Sequence, residues 1–95
     1  MDKWVLYMVQ CADDSIYTGI TNNLQARLQA HNAGKGAKYT KGRTPVVLKA
    51  VFEYADRSEA SKAEYAFKKL TREGKMKIIS DFDQKNTNAI LLWRG

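Results

Sequence analysis

"VLYMVQCADDSIYTGI", Val5 to Ile20, places two apolar runs on either side of Ala12-Asp13-Asp14, the pattern of an antiparallel β-hairpin. Tyr7 stands in the first run and Tyr17 in the second, and Gly19 occupies a position where a strand prefers a side chain. A glycine inside a strand marks a bulge, or the close approach of a ligand or another backbone. Side chains alternate along a strand, so the two tyrosines share a face only if the loop has an odd number of residues or a bulge intervenes. Ala12-Asp13-Asp14 as a three-residue loop meets that condition.

Beyond the hairpin, turn residues separate further apolar runs. Strands are expected at Trp4 to Cys11 and Ser15 to Thr21. Thr21-Asn22-Asn23 offers N-caps for a helix from about Asn22 to Ala33. That helix stops at "NAGKGAKYTKGRTP", which holds three glycines and the only proline. Val46 to Tyr54, "VVLKAVFEY", is β-branched and aromatic enough for a third strand. Asp56 and Ser58 can cap a second helix reaching about Leu70, and Thr71 a third over "REGKMKIISDF". The order β-β-α-β-α-α predicts an α+β fold, a small three-stranded sheet flanked by about three helices. The domain is expected over residues 1–84, with 85–95 as a short C-terminal tail carrying the apolar "AILLW".

Composition narrows the function. A chain of 95 residues supports one modest core. Its 16 Lys and Arg against 10 Asp and Glu give a formal charge of +6, which favours polyanionic partners, nucleic acid first. Cys11 is the only cysteine and His31 the only histidine, which precludes an internal disulfide and a structural zinc site. No signal-peptide core and no membrane-spanning run is present, so a reduced, cytoplasmic protein is expected, with no membrane partner.

Two helices carry polar residues on apolar stripes. Helical spacing from Leu24 and Leu28 gives 24, 27, 28 and 31, and two of these are Arg27 and His31. The second stripe runs through Ala60, Ala63, Phe67 and Leu70, and Glu64 falls on it. Each could snorkel to water, or Arg27 and Glu64 could pair as a structural bridge. Three together point to a cleft, because burying unpaired charge is costly. Lys68, one turn after Glu64, reads as its i,i+4 partner. A Cys11–His31 nucleophilic pair is less favoured than Cys11 as a packing residue at the strand end. Phosphate-loop, serine-hydrolase and zinc-protease patterns are absent.

With these residues in place the chain resembles the GIY-YIG nuclease superfamily, and its small stand-alone bacterial members in particular. Val5-Leu6-Tyr7 stands where that family has Gly-Ile-Tyr, and Tyr17-Thr18-Gly19 where it has Tyr-Ile-Gly. Arg27 in "LQARLQAHN" matches the family's helix arginine, with His31 one turn later. "SEASKAEYAFKKL" matches the helix of its metal-binding glutamate, at Glu64. The likeness covers roughly residues 4 to 80.

The resemblance implies a divalent-metal-dependent endonuclease that hydrolyses DNA phosphodiester bonds, in repair or processing. Its DNA substrate would include branched or damaged forms. Glu64 would hold one Mg²⁺ or Mn²⁺ ion, and Arg27 would stabilise charge on the phosphoryl group. Tyr7 would orient the water or take its proton. Tyr17 and His31 are alternative proton carriers, and a packed or capping role for His31 stands beside its catalytic one. Gly19 would leave room for the phosphate. Lys35, Lys38, Lys41 and Arg43, interleaved with Tyr39, read as a phosphate-tracking loop or as a solvated one. The alternative function is a non-catalytic nucleic-acid-binding module with the same fold. A third reading makes "AILLW" a docking surface for an unspecified protein partner. The chain is expected as a monomer or weak dimer.

Overall fold

The computed structural model describes residues 3–94, with side chains as far as residue 84. Three strands form one antiparallel sheet: β1 (Trp4–Gln10), β2 (Ile16–Thr21) and β3 (Val47–Tyr54), in the order β2-β1-β3. The helices are α1 (Leu24–Asn32), α2 (Arg57–Lys68) and α3 (Arg72–Arg94). The expected α+β order is the observed one.

The hairpin loop has three residues. Cys11 N–H donates to Ser15 O (2.8 Å) and Asp14 N–H to Cys11 O (2.9 Å), with Asp14 at φ 69°. Aspartate is one of the few non-glycine residues that accept this left-handed conformation readily. Asp13 Oδ1 accepts from Ser15 N–H (3.1 Å) and Ser15 Oγ (2.6 Å), which fixes the turn and holds the Asp13 carboxyl below its ordinary range. The register that follows pairs Tyr7 with Gly19 and Val9 with Tyr17. Residues opposite each other share a face, so both tyrosines lie on the same side of the sheet. On the other side of β1 a register shift between Met8 and Val9 marks a bulge against β3.

Leu6, Met8, Phe52 and their neighbours form the opposite face, and it carries most of the core. Phe52 meets Phe67 of α2 and Phe82 of α3, with ring centroids 5.8 Å and 5.3 Å apart. Burial on both faces explains why β1 reads as a continuous apolar run. α1 covers the tyrosine face. Its N-cap is Asn23, whose Oδ1 accepts from Ala26 N–H (3.2 Å), so the helix starts at Leu24, two residues later than expected. Asp56 caps α2 through Glu59 N–H (2.9 Å), and Thr71 Oγ1 accepts from Gly74 N–H (3.1 Å) at the start of α3. At the far end of α1, Asn32 Oδ1 accepts from Val46 N–H (2.7 Å), tying the helix to the start of β3.

Two expected boundaries move. α2 ends at Lys68, which leaves Leu70 in the connection and 36% exposed instead of on the core stripe. α3 continues past Phe82 to Arg94, through the stretch expected as a tail. The side chains of "AILLW" lie outside the described residues.

Candidate active site

A cavity of about 420 Å³ lies at the β2 side of the sheet and is lined from both faces. Tyr7 and Tyr17 come from the hairpin, Arg27 from α1 and Glu64 from α2. Four residues far apart in sequence therefore meet in one space; of the three polar stripe positions, Arg27 and Glu64 line it and His31 does not. Arg57 and Ser61 also line it, and sequence reading passed over both. Their signal was present, since 57, 61 and 64 fall on one helix face.

Tyr7 is fully buried and forms the inner wall. Its ring lies across Gly19, where an added Cβ would come within 2.6 Å of Tyr7 Oη and 2.8 Å of Cζ. The strand glycine thus makes room for the tyrosine directly opposite it, and not in the first place for a substrate. Burial pushes the Tyr7 phenol up to about 12, against the Arg27 guanidinium beside its hydroxyl, which pulls the other way. Tyr17 is half-buried, with its ring 6.3 Å from that of Tyr7.

Behind Tyr7 stands His31, also fully buried. Tyr7 Oη is 2.8 Å from His31 Nε2, and His31 Nδ1 is 2.7 Å from Thr40 Oγ1. Burial, with the Arg27 charge behind it, holds the imidazole below its ordinary 6.5, so it is neutral at pH 7. A neutral buried histidine stabilises the fold fully above pH 6.5 and progressively less as pH falls through its lowered value. Both ring nitrogens are engaged, and buried Cys11 has no bond to the ring, which leaves Cys11 its packing role.

Arg27 and Glu64 do not form the bridge that sequence allowed. Glu64 Oε2 pairs with Lys68 Nζ at 3.2 Å, and Lys68 also sits 5.7 Å from the Tyr17 ring. Arg27 Nε is buried without a hydrogen-bond partner. The Arg27 guanidinium lines the polar cavity beside the Tyr7 hydroxyl, where its charge can meet an anion.

The loop after α1 divides into two parts. Lys35, Lys38 and Lys41 are exposed and without ion pairs among the described residues. Arg43 instead clamps the loop onto the hairpin. Its Nε bonds Asp13 Oδ2 (2.9 Å), a terminal nitrogen donates to Tyr39 O (2.6 Å), and the guanidinium covers the Tyr39 ring at 4.4 Å. Tyr39 in turn stacks on Tyr17 with centroids 5.8 Å apart.

Glu64 is a lone carboxylate, since no cluster of three His, Cys, Asp or Glu residues occurs among the described residues. A single carboxylate is compatible with an ion that keeps several waters and takes further oxygens from a substrate phosphate, as Mg²⁺ and Mn²⁺ do. Among those residues no helix is long and apolar enough to cross a membrane.

Comparison with known proteins gives a family match over most of the chain. The family described as the GIY-YIG catalytic domain matches residues 3–78. The UPF0213 protein SH2523 of Staphylococcus haemolyticus is 49% identical over 81 residues, 85% of this chain and 99% of that one. Two solution NMR structures are each 40% identical to this chain. Protein EF2693 from E. faecalis has a TM-score of 0.60 over 88% of this chain and 93% of its own. The UPF0213 protein BH0048 from Bacillus halodurans has 0.54 over 84% of each.

Proposed function

The chain belongs to the GIY-YIG family, and from that premise we propose that it is a metal-dependent endonuclease cutting DNA phosphodiester bonds. The observation that carries this reading is the convergence of Tyr7, Arg27 and Glu64, from three separate elements, on one cavity. Binding DNA through its surface would not require these three groups to share a cavity.

In this reading a nonbridging phosphate oxygen enters the cavity beside the Arg27 guanidinium, which meets the charge that grows in the transition state. A water opposite the leaving oxygen gives a proton to Tyr7 Oη while Tyr7 passes its own to His31 Nε2. No free phenolate forms, which lets a phenol raised to about 12 act at neutral pH. The water oxygen bonds to phosphorus and the P–O bond to the leaving group breaks. The leaving oxygen departs with that electron pair and takes a proton from solvent, and His31 returns its proton by the path it came. Glu64 would hold the divalent ion, which supplies Lewis-acid polarisation of the phosphoryl oxygens. Lys35, Lys38 and Lys41 would follow the backbone of DNA, branched or damaged forms included, which accords with a role in repair or processing. The buried free thiol of Cys11 accords with a reducing cytoplasm.

The second reading, binding without cleavage, is favoured by one feature, the Lys68 ammonium already seated on Glu64. Incubating the protein with branched, nicked and linear DNA, with and without Mg²⁺ or Mn²⁺, separates the two. Metal-dependent cutting lost in Arg27→Ala is expected. Binding to all three forms with no cutting under any metal would leave only the second.

A further inference from the structure

Thr40 lies in the basic loop and carries none of the charge that gives the loop its interest, yet it is fully buried. Its hydroxyl has one proton, and Ala37 O, 3.1 Å from Thr40 Oγ1, is placed to accept it. Toward His31 Nδ1, 2.7 Å away, Thr40 can then only accept. In that arrangement Nδ1 carries the ring proton. In a neutral imidazole that leaves Nε2 as a lone pair, so Tyr7 Oη must donate across its 2.8 Å contact.

This assignment decides what Tyr7 offers the cavity. With its proton turned inward to His31, its oxygen presents lone pairs on the side of Arg27 and the cavity. In the other tautomer His31 would donate to Tyr7, whose own proton would have to point at or around the guanidinium. Tyr7 would then meet a water as a donor and could not take its proton. We infer that Thr40 is a positioning residue that fixes His31 in the Nδ1–H tautomer and so makes Tyr7 a proton acceptor toward the cavity.

Gly36 closes the arrangement. An added Cβ there would come within 2.4 Å of His31 Nδ1 and 2.6 Å of Cγ, so the loop backbone rests on the imidazole. The segment expected to contact DNA is thus also the one that sets the proton arrangement behind Tyr7. The tautomer itself stands on hydrogen bonding alone; its effect on turnover rests on the nuclease reading above.

His31 is the only histidine, so ¹⁵N-histidine NMR of the intact protein reads this ring without assignment. The expected wild-type spectrum has a protonated Nδ1 and an unprotonated Nε2 at neutral pH. Thr40→Val should shift the ring toward the Nε2–H form, and Thr40→Ser should restore the wild-type pattern. Turnover of metal-dependent DNA cleavage should fall roughly 10- to 100-fold in Thr40→Val, part of the contribution of a placed base, with DNA affinity unchanged. A wild-type ring protonated on Nε2 overturns the inference whatever the variants do, and so does Thr40→Val with both tautomer and turnover unchanged. If the tautomer behaves as expected but no DNA is cut by the wild type, the nuclease reading falls and the role of Thr40 in setting the ring stands.

Discussion

Replacing Tyr7 by phenylalanine removes one oxygen atom and should alter stability in opposite directions at the two ends of the pH scale. Near pH 8 the variant loses the bond to His31 and leaves Nε2 as a buried acceptor without a donor, at a cost of about 1–3 kcal/mol. At alkaline pH the wild type carries a burden that the variant lacks. In the unfolded chain the Tyr7 phenol ionises near 10, whereas in the fold burial keeps it protonated to about 12. Between those values the unfolded state has released a proton that the folded state still holds, so stability falls as pH rises. Below 10 this contribution is fully present. Two pH units correspond to about 2.7 kcal/mol, roughly two-thirds of it lost by pH 11.5.

Urea unfolding of both proteins from pH 8 to 11.5 measures the difference directly. Tyr54, also raised by burial, is common to both chains, so its contribution cancels. The wild-type advantage should shrink by close to 2 kcal/mol over that range and can change sign. A gap that stays constant to pH 11.5 would refute the buried, hydrogen-bonded phenol on which the proton path depends.

Three further expectations concern the cavity and the loop. Glu64→Gln removes the charge proposed to hold the ion; cleavage should fall by orders of magnitude. Because Glu64 pairs only with a half-exposed Lys68, melting should show a change within about 1 kcal/mol. A loss of about 3–5 kcal/mol with cleavage intact would restore a structural role for Glu64. Arg27→Lys keeps the charge without the planar fork and should lower kcat more than DNA affinity, and a loss confined to binding would make Arg27 an anchor only. Lys38→Ala with Lys41→Ala should weaken DNA binding alike on all sequences and flatten its salt dependence, and an unchanged salt slope would take this loop out of the interface.

The parts legible in sequence were those set by period and loop length. A 3.6-residue spacing on α1 put Arg27 and His31 beside Leu24 and Leu28, and that face is the inward one. A three-residue loop put both tyrosines on one face, and the observed register agrees. The length of α3 was not read, although no glycine or proline interrupts the chain between Gly74 and Gly95: the helix was expected to end at Phe82 and continues to Arg94. What sequence could not give depends on contacts between distant segments. Arg43 reads as one more cation in a basic loop, and only the return of that loop onto the hairpin turns it into a clamp on Asp13. Thr40 carries no charge, period or motif. Its place under His31 is set by Gly36 and by the path of the loop, neither of which has a local signature.

The hairpin's weak point and the loop's weak point answer to one cause. Gly19 on β2 and Gly36 after α1 are 17 residues apart, and at each an added methyl would strike the Tyr7–His31 pair, from opposite ends. At Gly19 it would meet the Tyr7 hydroxyl, and at Gly36 the His31 Nδ1 and the backbone behind it. Neither glycine needs a positive φ, so neither is explained by the turn chemistry that usually requires this residue. Both are where main chain comes against an aromatic side chain too closely for any Cβ. Two rings joined by a 2.8 Å hydrogen bond are thus confined between two stretches of backbone, which holds the bond in line. Fixed placement of this kind is what passing a proton inward requires, because a phenol raised to about 12 has no second chance to ionise by itself. Strand propensity was given up at Gly19 for the sake of that confinement.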